Sequence, residues 1–420
     1  MTAVVVGAGP VGLTAALLLV RHGVPVVVLE KHTAPLSTPR AVHLDGEAVE
    51  VLRRLGLGKA FQAISRPMPG LRLVDAGHRV LAEFGRAERG RFGHPDSSLF
   101  HQPDLDALLE SALPPGVVRR GVAVSGVEQG PVVVCADGSR LPADAVLGCD
   151  GANSVVRAAV GGSLRELRPP ERWWVVDGES PEPLPMWDGV HQVCATPPAT
   201  FMRVTGTRYR WEHRVDGAPT PPPGLTVSRR AEYTFHARVA TRWRRDRVLL
   251  LGDAAHLTPP FAGQGLGAGL RDAANLAWKL AWVLRRGAPD RLLDTYQSER
   301  LPHALATIRT AMLLGWSMRG GRVRQHALRT AGHFPIADVS PRLRRGPLVH
   351  RGGGRALPGY DGHDFTVVGN HLVRPDGISA GAAWTDPGLA WLARSVRQFL
   401  TSVHSGASWR TDVELAPERD

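Results

Sequence analysis

The run Val4-Val5-Val6-Gly7-Ala8-Gly9-Pro10-Val11-Gly12 places GxGxxG directly behind a short apolar stretch and directly ahead of a second one, Leu13–Val20. That order predicts a buried strand, a tight turn and a helix. Gly7 permits the turn, Gly9 lets backbone approach a pyrophosphate, and Gly12 allows helix and strand to pack closely. Free N–H groups at the helix start favour phosphate charge. A second apolar run ends at Glu30, about 20 residues on, where an acid can accept ribose hydroxyls. Strand, turn, helix, strand and acid together specify a dinucleotide-binding βαβ unit. Glu30 would repel a 2′-phosphate, which argues against NADPH at this site.

A second block has the same texture. Arg247–Leu251 is a strand-like run ending in Gly252-Asp253, followed by His256, Pro259, Pro260 and glycines at 263, 265, 267 and 269. A strand-end carboxylate beside a helix start suits a second hydroxylated cofactor segment, such as a ribityl chain. Backbone N–H groups at that helix start can also stabilise negative charge on a reduced flavin.

Between and beyond these blocks the chain reads as mixed α/β. Helices are predicted at Asp45–Leu55, Pro103–Leu113, Asn153–Val160, Gly265–Arg286, Asp290–Leu314 and Leu389–Val403. A hairpin is predicted at Leu71–Val74 and Arg79–Phe84, and short strands at Ala123–Val127, Val132–Cys135, Ala145–Cys149 and Phe365–Val368. From Glu171 to Ala240, β-like runs alternate with Pro-rich loops, which predicts a mainly antiparallel sheet inserted into the first domain. With 420 residues, two or three domains are expected.

Composition removes several function classes. The net charge is +12, yet 48 of the 51 basic residues are arginine and they are dispersed. They form no patch interleaved with aromatics, so nucleic acid is not an expected partner. Acidic small molecules are. Three widely spaced cysteines, Cys135, Cys149 and Cys194, give no disulfide framework and no metal site, and suit a reducing cytoplasm. Glycines interrupt the apolar N-terminus, which argues against a signal peptide, and no stretch reaches the roughly 20 apolar residues of a membrane span.

With both motifs read, the chain resembles the FAD-dependent aromatic hydroxylases built like p-hydroxybenzoate hydroxylase. Asp150-Gly151-Ala152-Asn153-Ser154-Val155-Val156-Arg157 matches that family's DG block, linked to both FAD and NADPH. Pro39-Arg40-Ala41-Val42-His43-Leu44 and His101-Gln102-Pro103-Asp104-Leu105 match two further FAD-contacting segments. The closest subgroup is 3-(3-hydroxyphenyl)propionate-type and polyketide hydroxylases. The resemblance covers 1–160 and 245–315 strongly. The segment before Gly252 is shorter than the family's usual one.

The resemblance implies a Rossmann-like FAD-binding domain over 1–66, 96–160 and 247–318. An inserted antiparallel substrate domain would occupy 67–95 and 161–246. Residues 319–420 would be a reduced C-terminal segment, a truncated thioredoxin-like remnant. It implies an NAD(P)H-using monooxygenase in which the reduced flavin adds O₂, and a C4a-hydroperoxide delivers oxygen to an aromatic or polyketide ring in specialised metabolism. NADPH or NADH would be a transient reductant without a second GxGxxG. Related outcomes stay open: Baeyer–Villiger oxidation, oxidative decarboxylation, dehydrogenation, or a non-catalytic FAD-binding role. The expected cofactor contacts are Gly7, Gly9, Pro10, Val11, Gly12, Glu30, Lys31, Arg40, Gln102, Val124, Asp150, Arg157, Gly252, Asp253, Pro260, Gly263, Gln264, Gly265 and Leu266. Arg203, Arg210, Trp211 and Pro259 are candidate pocket residues. His43 is either a base for a phenol or a packing histidine. His256 and the Trp173-Trp174 pair are expected to be structural. The protein is a monomer or a homodimer.

Overall fold

The structure, a computed structural model, describes residues 1–215, 224–319, 365–368 and 371–380, with isolated positions 321, 326 and 349. The predicted helix Leu389–Val403 lies outside the described residues.

The N-terminal βαβ unit forms as its pattern requires. Strand β1 (Ala3–Val6) is buried throughout, helix α1 (Pro10–Arg21) starts with proline in its first turn, and strand β2 (Val26–Glu30) follows. Proline fits there because the first helical N–H has no intrahelical acceptor to lose. β1 pairs in parallel with β2 on one side and with Ala145–Gly148 on the other. Val248–Leu250 extends this sheet in parallel beyond Ala145–Gly148, Val118–Arg120 extends it beyond β2, and Arg244–Arg245 closes one edge antiparallel. The strands are continuous apolar runs because both faces of such a sheet are covered. Helix Gly265–Arg286 supplies much of the cover, with Leu270, Leu276, Trp278 and Leu280 fully buried.

A second, eight-stranded sheet gathers Gly70–Val74 and Val80–Gly85 together with strands from 164 to 257. Every pairing in it is antiparallel except Val190–Val193 against Gly70–Val74. Its strands are longer than their sequence runs suggested. Leu164–Glu179 and Thr226–Ala240 pair along nearly their whole lengths, with register shifts at Glu166/Arg168 and Asp177/Gly178. Irregularities of that kind break the alternation from which strand limits are read. Trp173 sits in the core beneath this sheet, 5.2 Å from Phe261 and 5.9 Å from Phe235 between ring centres.

Two helices differ from expectation. Only Val156–Val160 of the Asn153–Val160 segment is helical. The Asp150 carboxylate accepts from the N–H groups of Val155 and Val156, so the preceding residues form its capping loop. Asp290–Leu293 is a 3₁₀ turn, and the α-helix runs Asp294–Ser317, with Pro302 inside it.

Candidate active site

The Gly-rich turn is a steric necessity at two positions. Gly7 has φ of 103°, and a Cβ there would lie 2.5 Å from the Cys149 carbonyl oxygen. A Cβ on Gly12 would lie 2.0 Å from the Gly7 carbonyl oxygen. Gly9 differs: a Cβ would meet nothing within 4 Å, and the residue lines a large cavity. The turn is closed toward the protein and open toward the lumen. Glu30 ends β2 beside it. One of its oxygens accepts from the Ala8 N–H and the other from His32 N–H, both at 2.9 Å.

Gly252-Asp253 is held from behind. Asp272, fully buried on helix Gly265–Arg286, accepts from Gly252 N–H at 3.1 Å, His256 Nε2 at 2.6 Å and Arg300 Nε at 2.7 Å. Burial alone would raise the Asp272 pKa, but the His256 and Arg300 charges hold it below the usual carboxylate range. Asp253 makes no hydrogen bond among the described residues, and its side chain is open to the lumen. Enclosure by protein pushes its pKa up, against the pull of His256 and Arg40. His256 has the structural place expected of it.

The Arg40 segment is gripped from two sides. Gln102 Oε1 accepts from the N–H groups of Arg40 and Ala41, at 3.0 and 2.8 Å. From the eight-stranded sheet, Arg210 donates to the carbonyl oxygens of Arg40 (2.7 Å) and Pro39 (2.8 Å). Asp177 anchors that guanidinium at 2.8 Å and also binds Arg229 at 3.0 Å. Arg210 touches the lumen, but its donors are committed to Asp177 and this loop, so it is a brace and not a free pocket cation. Arg157 is a second brace, donating to the carbonyls of Ala152 and Ala254 and so tying the DG block to the Gly252-Asp253 loop.

The eight-stranded sheet presents one face to the cavity. Cross-strand register aligns Leu71 with Val190 and Met202 with Arg210 in one row, and Gln192, Thr200, Glu212 and Val175 in the next. All of these line the lumen. Arg203 and Trp211 alternate with them and therefore face away; Arg203 pairs with Asp188 at 2.7 Å and Trp211 lies against His213. The expectation that they line the pocket is thus corrected by the two-residue period. Pro259 and Val124 also lie off the lumen, as do Gly7, Gly12, Glu30, Arg157 and Gly252, which stand behind it. Gly9, Pro10, Val11, Lys31, Arg40, Gln102, Asp150, Asp253, Pro260, Gly263, Gln264, Gly265 and Leu266 line it.

His43 also lines the cavity. Its Nδ1 lies 3.1 Å from the Gly263 carbonyl oxygen, so a proton on Nδ1 is donated there, and Nε2 is buried without a partner. Burial lowers its pKa, against the Gly263 hydrogen bond and Asp45. A neutral ring in that state supports the 260–265 loop.

Sequence reading missed Asp177, Asp272, Arg300, Gln192, Thr200 and Glu212. The last two were within reach: Thr200/Met202 and Arg210/Glu212 are alternate positions on predicted strands. The pairings of Asp177 and Asp272 span 16 to 52 residues and leave no local signal.

The cavity, about 1050 Å³, runs from the Gly-rich turn to this sheet. That is at or above the upper end of the roughly 300–1,000 Å³ common for small-molecule pockets. The FAD binding domain family matches residues 1–215 and 218–311. The chain is 36% identical over 341 residues to a probable NADH-specific resorcinol 4-hydroxylase of Rhodococcus jostii, covering 74% of this chain and 64% of that protein. It is 35% identical over 407 residues to a 3-(3-hydroxy-phenyl)propionate/3-hydroxycinnamic acid hydroxylase of Mycobacterium avium, covering 84% and 69%. The chain thus spans about two thirds of the length of these relatives. Among solved structures it is similar to p-nitrophenol 4-monooxygenase PnpA from Pseudomonas putida, with a TM-score of 0.73, 28% identity and coverage of 79% and 94%. The chain belongs to the FAD binding domain family, the family of the FAD-dependent aromatic hydroxylases.

Proposed function

We propose that the protein is an FAD-dependent, NAD(P)H-using monooxygenase that hydroxylates an aromatic ring. The observation that carries this reading is the continuity of one cavity from a dinucleotide cradle to a half-apolar sheet face. The residues present fit FAD. Gly9 leaves open space where a pyrophosphate would lie against the start of α1. Asp253 is a lumen-facing carboxyl with no hydrogen-bond partner among the described residues, as a ribityl acceptor would be. The Asp150 Oδ1 is likewise buried and unpartnered. Arg40 and Lys31 also line the lumen and add positive charge.

When bound, FAD supplies the oxygen-activating chemistry after reduction by a nicotinamide. The chain's own residues bind, orient and exclude water. Gln102 and Arg210 fix the loop that carries Arg40, while Asp272 fixes the one that carries Asp253. Met68, Leu71, Leu99, Val190 and Met202 give the sheet end of the lumen an apolar wall on which a ring can lie. Excluding water there would favour transfer of oxygen to a bound ring over release of hydrogen peroxide. The names of the relatives support a phenolic substrate and NADH or NADPH as reductant; a role in specialised metabolism belongs to the same proposal.

The test is incubation of the purified yellow protein with NADH or NADPH, ¹⁸O₂ and a panel of phenols. One ¹⁸O atom in a ring hydroxyl of the product is expected. Reductant consumption that yields only hydrogen peroxide with every compound would contradict the reading.

A further inference from the structure

Three side chains form a transverse polar row across the cavity face of the eight-stranded sheet. Gln192 is directly paired with Thr200, and Thr200 with Glu212. Cross-strand neighbours of this kind have Cβ atoms about 4.5–5.5 Å apart. The row is rich in oxygen acceptors that lack donors. Gln192 is 2% exposed; its Nε2 donates to the Phe261 carbonyl oxygen at 2.7 Å, which leaves Oε1 buried with no partner. The Thr200 hydroxyl makes no hydrogen bond among the described residues, while its backbone is paired in the sheet. The nearest cation to Glu212 is Arg210, at 3.9 Å, beyond hydrogen-bond distance, and that guanidinium is committed to Asp177 and the Arg40 loop. Of the row's side-chain oxygens, Gln192 Oε1 is fully buried without a partner, a costly state that a donor bound in the lumen would relieve.

In the neighbouring row Leu71, Val190 and Met202 are apolar and suit the face of a ring, and the row ends at the committed Arg210. The Gln192–Phe261 hydrogen bond joins the polar row to the 260–263 turn, whose Pro260 and Gly263 line the proposed flavin side. Among the described residues the one ion pair to this row's carboxylate is that of Arg210, and Arg271 of the same lumen is bound to Asp45 and Glu47.

We propose that Gln192, Thr200 and Glu212 form a specificity row that selects a neutral aromatic ring carrying hydrogen-bond donors, such as a second ring hydroxyl, over a ring carrying a carboxylate. This rests on the hydroxylase reading above and names its substrate class. A carboxylate brings acceptors to the Gln192 Oε1 acceptor, and its charge adds to burial and to Asp177, which already disfavour the Glu212 anion and raise its pKa against the pull of Arg210. A polyhydroxy ring brings donors, and a site built to pair with hydroxyl groups discriminates strongly against analogues lacking them.

The experiment is equilibrium titration of the FAD-loaded protein with resorcinol, phenol and 3-hydroxybenzoate, read as perturbation of the flavin absorption spectrum. Resorcinol is expected to bind about tenfold or more tightly than either of the others, the scale of one hydrogen bond to a buried acceptor. Glu212→Gln is expected to weaken resorcinol about tenfold and to leave 3-hydroxybenzoate unchanged or tighter; Thr200→Val is expected to weaken resorcinol by a smaller factor. Both variants are expected to keep wild-type FAD content, and the wild-type ranking tests the proposal even where a variant fails to fold. Equal or tighter binding of 3-hydroxybenzoate by the wild type, or an unchanged ranking in a folded Glu212→Gln, would overturn the row while leaving the hydroxylase reading standing. No spectral response to any aromatic compound would overturn both.

Discussion

Arg210 of the eight-stranded sheet donates to the carbonyl oxygen of Arg40 at 2.7 Å, across 170 residues of sequence. The sheet that lines one part of the lumen therefore also sets the position of the Arg40 loop, which lines another. Arg210, expected on the pocket, does line the lumen and also braces the Arg40 loop.

Arg210→Met tests that coupling. Breaking a buried ion pair by removing one partner costs about 3–5 kcal/mol. Here Arg229 still holds Asp177, so a loss nearer the lower end is expected. Thermal unfolding is predicted to fall by several degrees and FAD affinity to drop about tenfold or more. Arg210→Lys is predicted to rescue little, because a point charge cannot serve Asp177 and two carbonyls together. A variant with unchanged melting temperature and FAD affinity would remove the bracing role.

Asp253→Ala is predicted to separate cofactor binding from folding. The carboxyl has no protein hydrogen bond to lose, and burial already raises its pKa. The apoprotein is therefore expected to melt no lower than wild type, while FAD affinity measured by fluorescence titration falls at least tenfold. Equal destabilisation of the apoprotein, with FAD affinity intact, would contradict the assignment.

Asp272→Asn is predicted to behave in the opposite way. Asp272 serves Gly252, His256 and Arg300 from a fully buried position. Loss of the charge leaves Arg300 uncompensated, at a cost of about 3 kcal/mol or more. Apoprotein and holoprotein are both expected to melt lower. A melting temperature within a degree of wild type would show that the buried triad is not structural.

How much of this was legible beforehand follows from the range of each interaction. Gly7, Gly9, Gly12 and Glu30 announce themselves because their geometry is local to one βαβ unit. Asp45 was readable as a helix cap for the same reason, and its carboxylate accepts from Ala48 N–H at 2.9 Å. The Gln192–Thr200–Glu212 row depends on three-strand register, which single-strand patterns do not encode. Arg203 and Trp211 were expected on the pocket because their strands were found without fixing which alternate faced inward. Arg210 was placed at the site, yet its carboxylate partner, Asp177, lies 33 residues away on another strand.

Asp106 gives a pH test. Burial raises its pKa to about 7, with Gln102, Arg120 and Arg40 acting against the rise. A carboxyl whose folded pKa exceeds its unfolded value contributes stability below the unfolded value, and that contribution is lost as pH rises through about 7. Asp106→Asn is therefore predicted to raise the melting temperature at pH 8 relative to wild type, with a smaller gain at pH 5.5. The reverse ordering would show that Asp106 is ionised and stabilising in its contact with Gln102.

The central claim is that one cavity joins a flavin cradle to a site for an aromatic ring. The most direct measurement is anaerobic stopped-flow reduction of the FAD-loaded protein by NADH and by NADPH, with and without hydroxylated aromatics. Acceleration of flavin reduction, or of subsequent reoxidation by O₂ with product formation, by one aromatic class is the predicted result. Full FAD occupancy with reduction and reoxidation rates indifferent to every aromatic compound would contradict the account.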